Sequence, residues 1–197
     1  LAHGETDHPR VFAPNINDLR VARGAQGQSR AVLFSRFMDV RGVAVLPPDD
    51  PARRKPGMSQ ALARKTAPVM QKAVLGVIRD VQREKSLQVL GKAAGQLASV
   101  ARDSQVYLCW QGVTLMCEVL ATEPELANPD VHKLITKAGQ CAKALAANGE
   151  DAIAKAAGRL GAQCMHLGTL AEEPNLIVER IREEFALGGA DVTYTRL

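Results

Sequence analysis

From Gly57 onward the apolar residues of this chain recur every three or four positions, and before Gly57 they do not. That interval places successive apolar side chains on one face of an α-helix. The first predicted helix carries Met70, Val74, Val77, Ile78 and Val81 inward, with Thr66 as N-cap, Pro68 in the first turn and an earlier turn from Ser59 leading into it. The second, from about Ser86, puts Leu87, Leu90, Ala94, Leu97 and Ala101 on one stripe and ends near Asp103 and Ser104. A third runs from about Gln105 with Val106, Cys109, Val113, Met116 and Leu120 inward, and Pro124 stops it. A strand start at Val106-Tyr107-Leu108 is the alternative there, because these residues are β-branched, aromatic and apolar.

Asn128-Pro129-Asp130 is the clearest punctuation: a capping side chain, a proline at the first helical position and an acid at the positive helix end. The fourth predicted helix follows, with Val131, Leu134, Ile135, Ala138, Cys141 and Leu145 on one face and Asn148-Gly149 as a left-handed stop. The fifth starts at once with Glu150 and Asp151 and carries Ile153, Ala157, Leu160, Cys164 and Leu167. So short a joint requires these two helices to fold back as an antiparallel pair. Pro174 separates a sixth, holding Leu176, Ile177, Ile181 and Phe185, which Gly188-Gly189 terminates.

Residues 1–57 read differently. Glycine and proline recur there, and only Ala31 to Phe34 and Val43 to Leu46 have strand character. The segment is expected to be an extended basic arm, ordered against a partner or paired into a small β element with the strand-like tail Val192 to Thr195. The predicted fold is therefore mainly α: an antiparallel bundle of five to six helices over residues 58–189, the arm over 1–57, and a tail or strand over 190–197.

Aromatic residues make up only 4% of the chain while the apolar class reaches 46%, so the core is built from Ala, Val, Leu and smaller groups. Such a core favours closely spaced helices. The segments Lys92-Ala93-Ala94-Gly95, Lys137-Ala138-Gly139 and Lys155-Ala156-Ala157-Gly158 repeat a motif without a fixed period. A glycine inside a helix costs about 1 kcal/mol relative to alanine and is kept where another backbone comes close, so helix crossings are expected at Gly95, Gly139 and Gly158.

The formal charge is +4, and residues 1–65 hold eleven Arg or Lys against six acids. Arg20, Arg23, Arg30, Arg36, Arg41, Arg53, Arg54 and Lys55 are the candidate contacts to a partner protein or to phosphates. The four cysteines fall in apolar helical patterns without CxxC or knuckle spacing, which predicts buried reduced thiols in an intracellular, reducing compartment. An organelle fits equally if a targeting peptide has been removed. The chain opens on Leu1, read as a fragment or processed end, and Leu1 to Arg10 contain no hydrophobic stretch of the kind a retained secretory signal needs. Val106 to Ala121 is interrupted by Gln111, Thr114 and Glu118 and is too short to span a bilayer.

Catalysis needs convergent polar groups, and few candidates exist. His3 and His8 sit near the start, His132 in a first helical turn as an exposed side chain, and His166 only two residues from Cys164, a spacing that sends the two side chains apart. The acid pairs Asp49-Asp50, Glu172-Glu173 and Glu183-Glu184 read as solvated surface, since neighbours on a helix diverge by about 100°. Gly24 to Arg30 has the flavour of an anion-binding loop but lacks the Lys and Ser/Thr of a phosphate loop. Trp110 reads as a core anchor.

The functional expectation is a non-catalytic structural or interaction subunit of a larger protein assembly, its bundle docked and its arm reaching onto neighbouring subunits. The alternative is a nucleic-acid-coating or packaging protein using the arginine-rich arm. A pocket near Trp110, Cys109 and Cys117 serving an enzyme or small-molecule binder ranks third. No cofactor and no metal is expected.

Overall fold

The computed structural model describes residues 19, 21–23, 55–171, 174–185 and 187. Among the described residues from 58 onward, six α-helices follow one another: α1 Met58–Ile78, α2 Arg83–Val100, α3 Ser104–Thr122, α4 Pro129–Asn148, α5 Glu150–Leu170 and α6 Leu176–Glu184, with a 3-10 turn at Pro124–Leu126. No strand occurs among the described residues. The helical bundle is thus as the periodicity predicts. The proposed strands at residues 31–34, 43–46 and 192–195 lie outside the described residues. Leu19, Val21 and Ala22 are helical, although the sequence before Gly57 carries no helical period.

The five long helices close into a ring. α1 packs on α2, α2 on α3, α3 on α5, α5 on α4, and α4 back on α1. α3 sits deepest: twelve of its 19 residues are buried. That explains why the segment reads as apolar on nearly every face, and α6 covers part of what α2 and α5 leave open. The strand alternative at Val106 to Leu108 loses because Asp103 caps the helix, accepting from the Gln105 and Val106 amides at 2.8 and 3.0 Å.

Several sequence expectations are corrected. α1 begins at Met58, not Thr66, and runs through Pro68. A proline removes one intrahelical donor, and here it faces solvent while Ala63, Ala67, Met70, Val74 and Val77 are buried one to two turns to either side. Thr66 donates its hydroxyl to the Leu62 carbonyl, a mid-helix bond in place of a cap. Ile78 and Val81, expected inside, are 40% and 59% exposed, because the helix ends at Ile78 and the turn through Asp80 and Gln82, both at positive φ, breaks the period. Leu176 and Ile177 are also exposed, and Val178 is buried in their place beside the expected Ile181 and Phe185. Gly149 has φ 80° with an extended ψ of −178°. It is not the left-handed stop expected, yet it remains a conformation that a side chain would strain, and it joins α4 to α5 through one residue.

The close crossing lies between α3 and α5. A Cβ on Gly161 would stand 2.6 Å from the Cys109 nitrogen and 2.7 Å from the Leu108 carbonyl carbon, and one on Gly112 would stand 2.6 Å from the Gly161 oxygen. These are backbone atoms, which cannot swing aside. Gly139 meets only the Val74 side chain at 3.2 Å, and Gly158 only the flexible Gln105 side chain. Gly95, the third expected crossing, has a single neighbour at an ordinary 3.8 Å. The repeated Lys-Ala-Gly motif thus does not mark the tightest contact.

The antiparallel joint between α4 and α5 is realised, and ties across the ring fix its ends. Gln60 and Arg64 of α1 donate to the carbonyls of Ala146 and Ala147 at the end of α4. Arg182 of α6 donates to the Gly168 and Ala171 carbonyls at the end of α5. Gly161→Ala is expected to destabilise the bundle by more than the ~1–3 kcal/mol of ordinary overpacking, because no rotamer change relieves it. Gly95→Ala should instead gain about 0.5–1 kcal/mol from helix propensity. Chemical denaturation of both variants checks the contrast, and equal effects would refute the assignment of the crossing.

Candidate functional site

A cleft of about 460 Å³ lies at the end of the bundle where the chain enters α1. It is lined by Pro56, Gly57 and Ser59 on one side, Arg102 and Asp103 on another, and Asn148 to Asp151 at the α4–α5 joint. Two of its acids, Glu150 and Asp103, have structural tasks. Glu150 accepts from the backbone amides of Arg102 and Asp103, at 3.1 and 2.8 Å, and so ties the α2–α3 turn to the start of α5. Asp103 is the α3 cap. The sequence placed Glu150 in a first helical turn for the helix dipole, and only the packing adds its second task. Two backbone amides thus hold the Glu150 carboxylate as a tether between the α2–α3 turn and α5. No cysteine or histidine lines the cleft.

The other reactive groups do not converge. His132 and His166 are half-buried on separate helices, so His132 is less exposed than its first-turn position suggests. Glu184 is not solvated surface: it accepts a short hydrogen bond from the Tyr107 hydroxyl, and Phe185 stacks on Tyr107 at 6.1 Å. The pairs Asp49-Asp50 and Glu172-Glu173, His3, His8 and the loop from Gly24 to Arg30 lie outside the described residues. Among the described residues no group of three or more His, Cys, Asp or Glu side chains could hold a metal ion, and no helix is long and apolar enough to cross a membrane.

Trp110 is fully buried, as a core anchor should be, and its indole N–H has no acceptor among the described residues. An unmade buried hydrogen bond costs about 1–3 kcal/mol, so the ring is held there by its apolar area.

Thiol chemistry is the exception that sequence could not reveal. Cys109 of α3 and Cys141 of α4 place their Sγ atoms 3.9 Å apart. The two are separated by 32 residues, and only the closing of the helical ring brings them together. Cys141, expected on the inner face, is half-buried at the bundle surface, while Cys109, Cys117 and Cys164 are buried. The hydrogen bond with Cys141, and then burial, push the Cys109 thiol well above its ordinary value, so Cys141 is the member of the pair that ionises first. Burial also raises Cys117 and pushes Cys164 up to about 12. Cys164 rests on the Met116 sulfur at 3.8 Å.

Of the eight basic residues expected to touch a partner or phosphates, Arg23 and Lys55 are described, and both are exposed. Arg20, Arg30, Arg36, Arg41, Arg53 and Arg54 lie outside the described residues.

With no assembled reaction centre among the described residues, similarity to known proteins carries the next step. Residues 55–197 match the family model described as FimL scaffold protein second domain. The chain belongs to that family. The match starts three residues before α1 and takes in the whole bundle, so the family unit and the helical ring coincide. No curated protein and no solved structure shows significant similarity to the chain. A scaffold description agrees with a ring whose carboxylates are engaged in holding helix ends.

Two outcomes are expected from the thiols. Brief treatment of the native protein with iodoacetamide should label Cys141 first, leaving Cys109, Cys117 and Cys164 to react only on unfolding. Peptide mass mapping reads this directly, and early labelling of Cys164 would contradict the packing. Because the folded bundle raises these thiols above the ordinary 9.0, their contribution to stability is complete below pH 9 and is lost as pH climbs toward the folded values, about 12 for Cys164. Denaturation midpoints should therefore fall on the alkaline side, and Cys164→Ala should flatten that fall.

Proposed function

We propose that this chain is a non-catalytic interaction subunit of a larger protein assembly, with the helical bundle as its docking body and residues 1–57 reaching onto neighbouring subunits. The family match over residues 55–197 carries the reading. The engagement of Glu150, Asp103 and Glu184 in structural hydrogen bonds supports it, since these acids hold helix ends and helix contacts. Four free cysteines suit a reducing, intracellular setting. The family match lends no support to nucleic acid as the partner.

The test is the native mass of the protein purified from its own cells under mild conditions, with identification of what accompanies it. A defined stoichiometric complex with one or more proteins is expected. A lone monomer, at concentrations near those in the cell, would overturn the proposal. Titration with single- and double-stranded DNA over a range of salt separates the alternative: salt-sensitive binding in the micromolar range or tighter would favour nucleic acid.

A further inference from the structure

We infer that the outer face of the α1–α2 hairpin is the groove in which the assembly's partner docks, and that the partner presents an acidic amphipathic helix. This rests on the reading of the chain as a protein-interaction subunit. Between Met58 and Val100 the chain holds seven Lys or Arg and two acids, whereas residues 101–197 hold nine basic and thirteen acidic side chains. The positive surplus of the family domain is therefore concentrated on one helical hairpin.

That hairpin also leaves an apolar row open. Met58, Leu62, Lys65, Val69 and Lys72 follow four-and-three spacing and form one line along α1, and Gly76 continues it. A Cβ on Gly76 would overlap the Ser86 side chain of α2, so the line runs beside α2. From Ser86, the facing line on α2 continues through Val89, Ala93, Gln96 and Val100. Met58 and Val69 are 44% and 49% exposed, while Leu62 and Val89 pack partly on the core and form the floor. Lys65, Lys72 and Lys92 stand exposed along this row. From Met58 to Val69 the row is about 16 Å long, the reach of three helical turns.

A row in which apolar side chains alternate with lysines matches a helix whose apolar face is interspersed and bordered with Glu or Asp. A second copy of the hairpin would set like charge against like charge. The segment Leu1 to Arg54 carries eight arginines against six acids and offers no negative surplus. Bare phosphate would leave Met58 and Val69 without apolar cover.

The experiment uses the full chain, a charge-reversed variant (Lys65→Glu, Lys72→Glu, Lys92→Glu), and a control with the same charge change on α4 and α5 (Lys137→Glu, Lys143→Glu, Lys155→Glu). The probe is a synthetic three-heptad helix with leucine on one face and glutamate on the rest, beside its lysine counterpart. Fluorescence anisotropy should show salt-sensitive binding of the glutamate peptide to the wild type and the control. The hairpin variant should lose at least tenfold, and the lysine peptide should not bind. Hydrogen exchange should place the protection on Met58 to Val100. No binding of the glutamate peptide, protection elsewhere, or equal loss in the control would overturn the groove. So would tighter binding of anionic phospholipid vesicles or duplex DNA to the same face. Isolation of the native complex with each variant keeps the two readings apart: a complex that survives hairpin reversal sinks the groove alone, and a wild-type chain without any partner sinks the interaction reading.

Discussion

Backbone contact between α3 and α5 is the constraint from which the rest of the bundle follows. With glycine at 112 and 161 the two helices approach until main-chain atoms of one touch those of the other. Helices that close share little volume, and the positions around them are filled largely by alanine, cysteine and leucine, with Trp110, Tyr107 and Phe185 as the buried rings. The low aromatic content of the chain and the tight crossing are two aspects of one packing solution. α3 is enclosed as a result, flanked by α2 and α5 and covered by α6.

The polar side chains secure this arrangement from its ends. Asn128, Asp103 and Asn175 each accept two amides at the start of a helix. Other ties cross between elements: Glu150 holds the α2–α3 turn, Asn175 reaches Glu118 of α3 at 2.9 Å, and Arg182 closes the end of α5. Each satisfies backbone groups, or pins one helix to another, where apolar packing has no directional preference. The surface proposed for recognition is the lysine-rich α1–α2 hairpin with its apolar row.

The existence of the helices was legible in the sequence because a buried stripe must repeat with the pitch of the helix. Leu87, Leu90, Ala94, Leu97 and Ala101 all lie inside, as their spacing requires. Asn128 and Asp103 cap where their chemistry and position predict. Boundaries were less legible. Thr66 and Pro68 resemble a helix start in isolation, but the burial of Ser59, Ala63 and Ala67 extends α1 two turns further back. Ile78 and Val81 obey the period yet face solvent, since their chain leaves the ring before the period is complete. A pattern of apolar residues states that a face exists, not where its neighbour ends.

By itself, then, the sequence determined that the described residues between 58 and 184 form amphipathic helices joined by short turns, that the core is made of small groups, and that the cysteines are mostly buried. These are local properties, dictated by the spacing and size of side chains along one helix. Tertiary structure alone decided which glycines touch, that Cys109 meets Cys141, that Glu150 serves a turn 48 residues away, and that α5 lies against α3 as well as against its neighbour in sequence α4. Each depends on the relative register of two helices, a quantity set by the packing of both surfaces together and written in neither one.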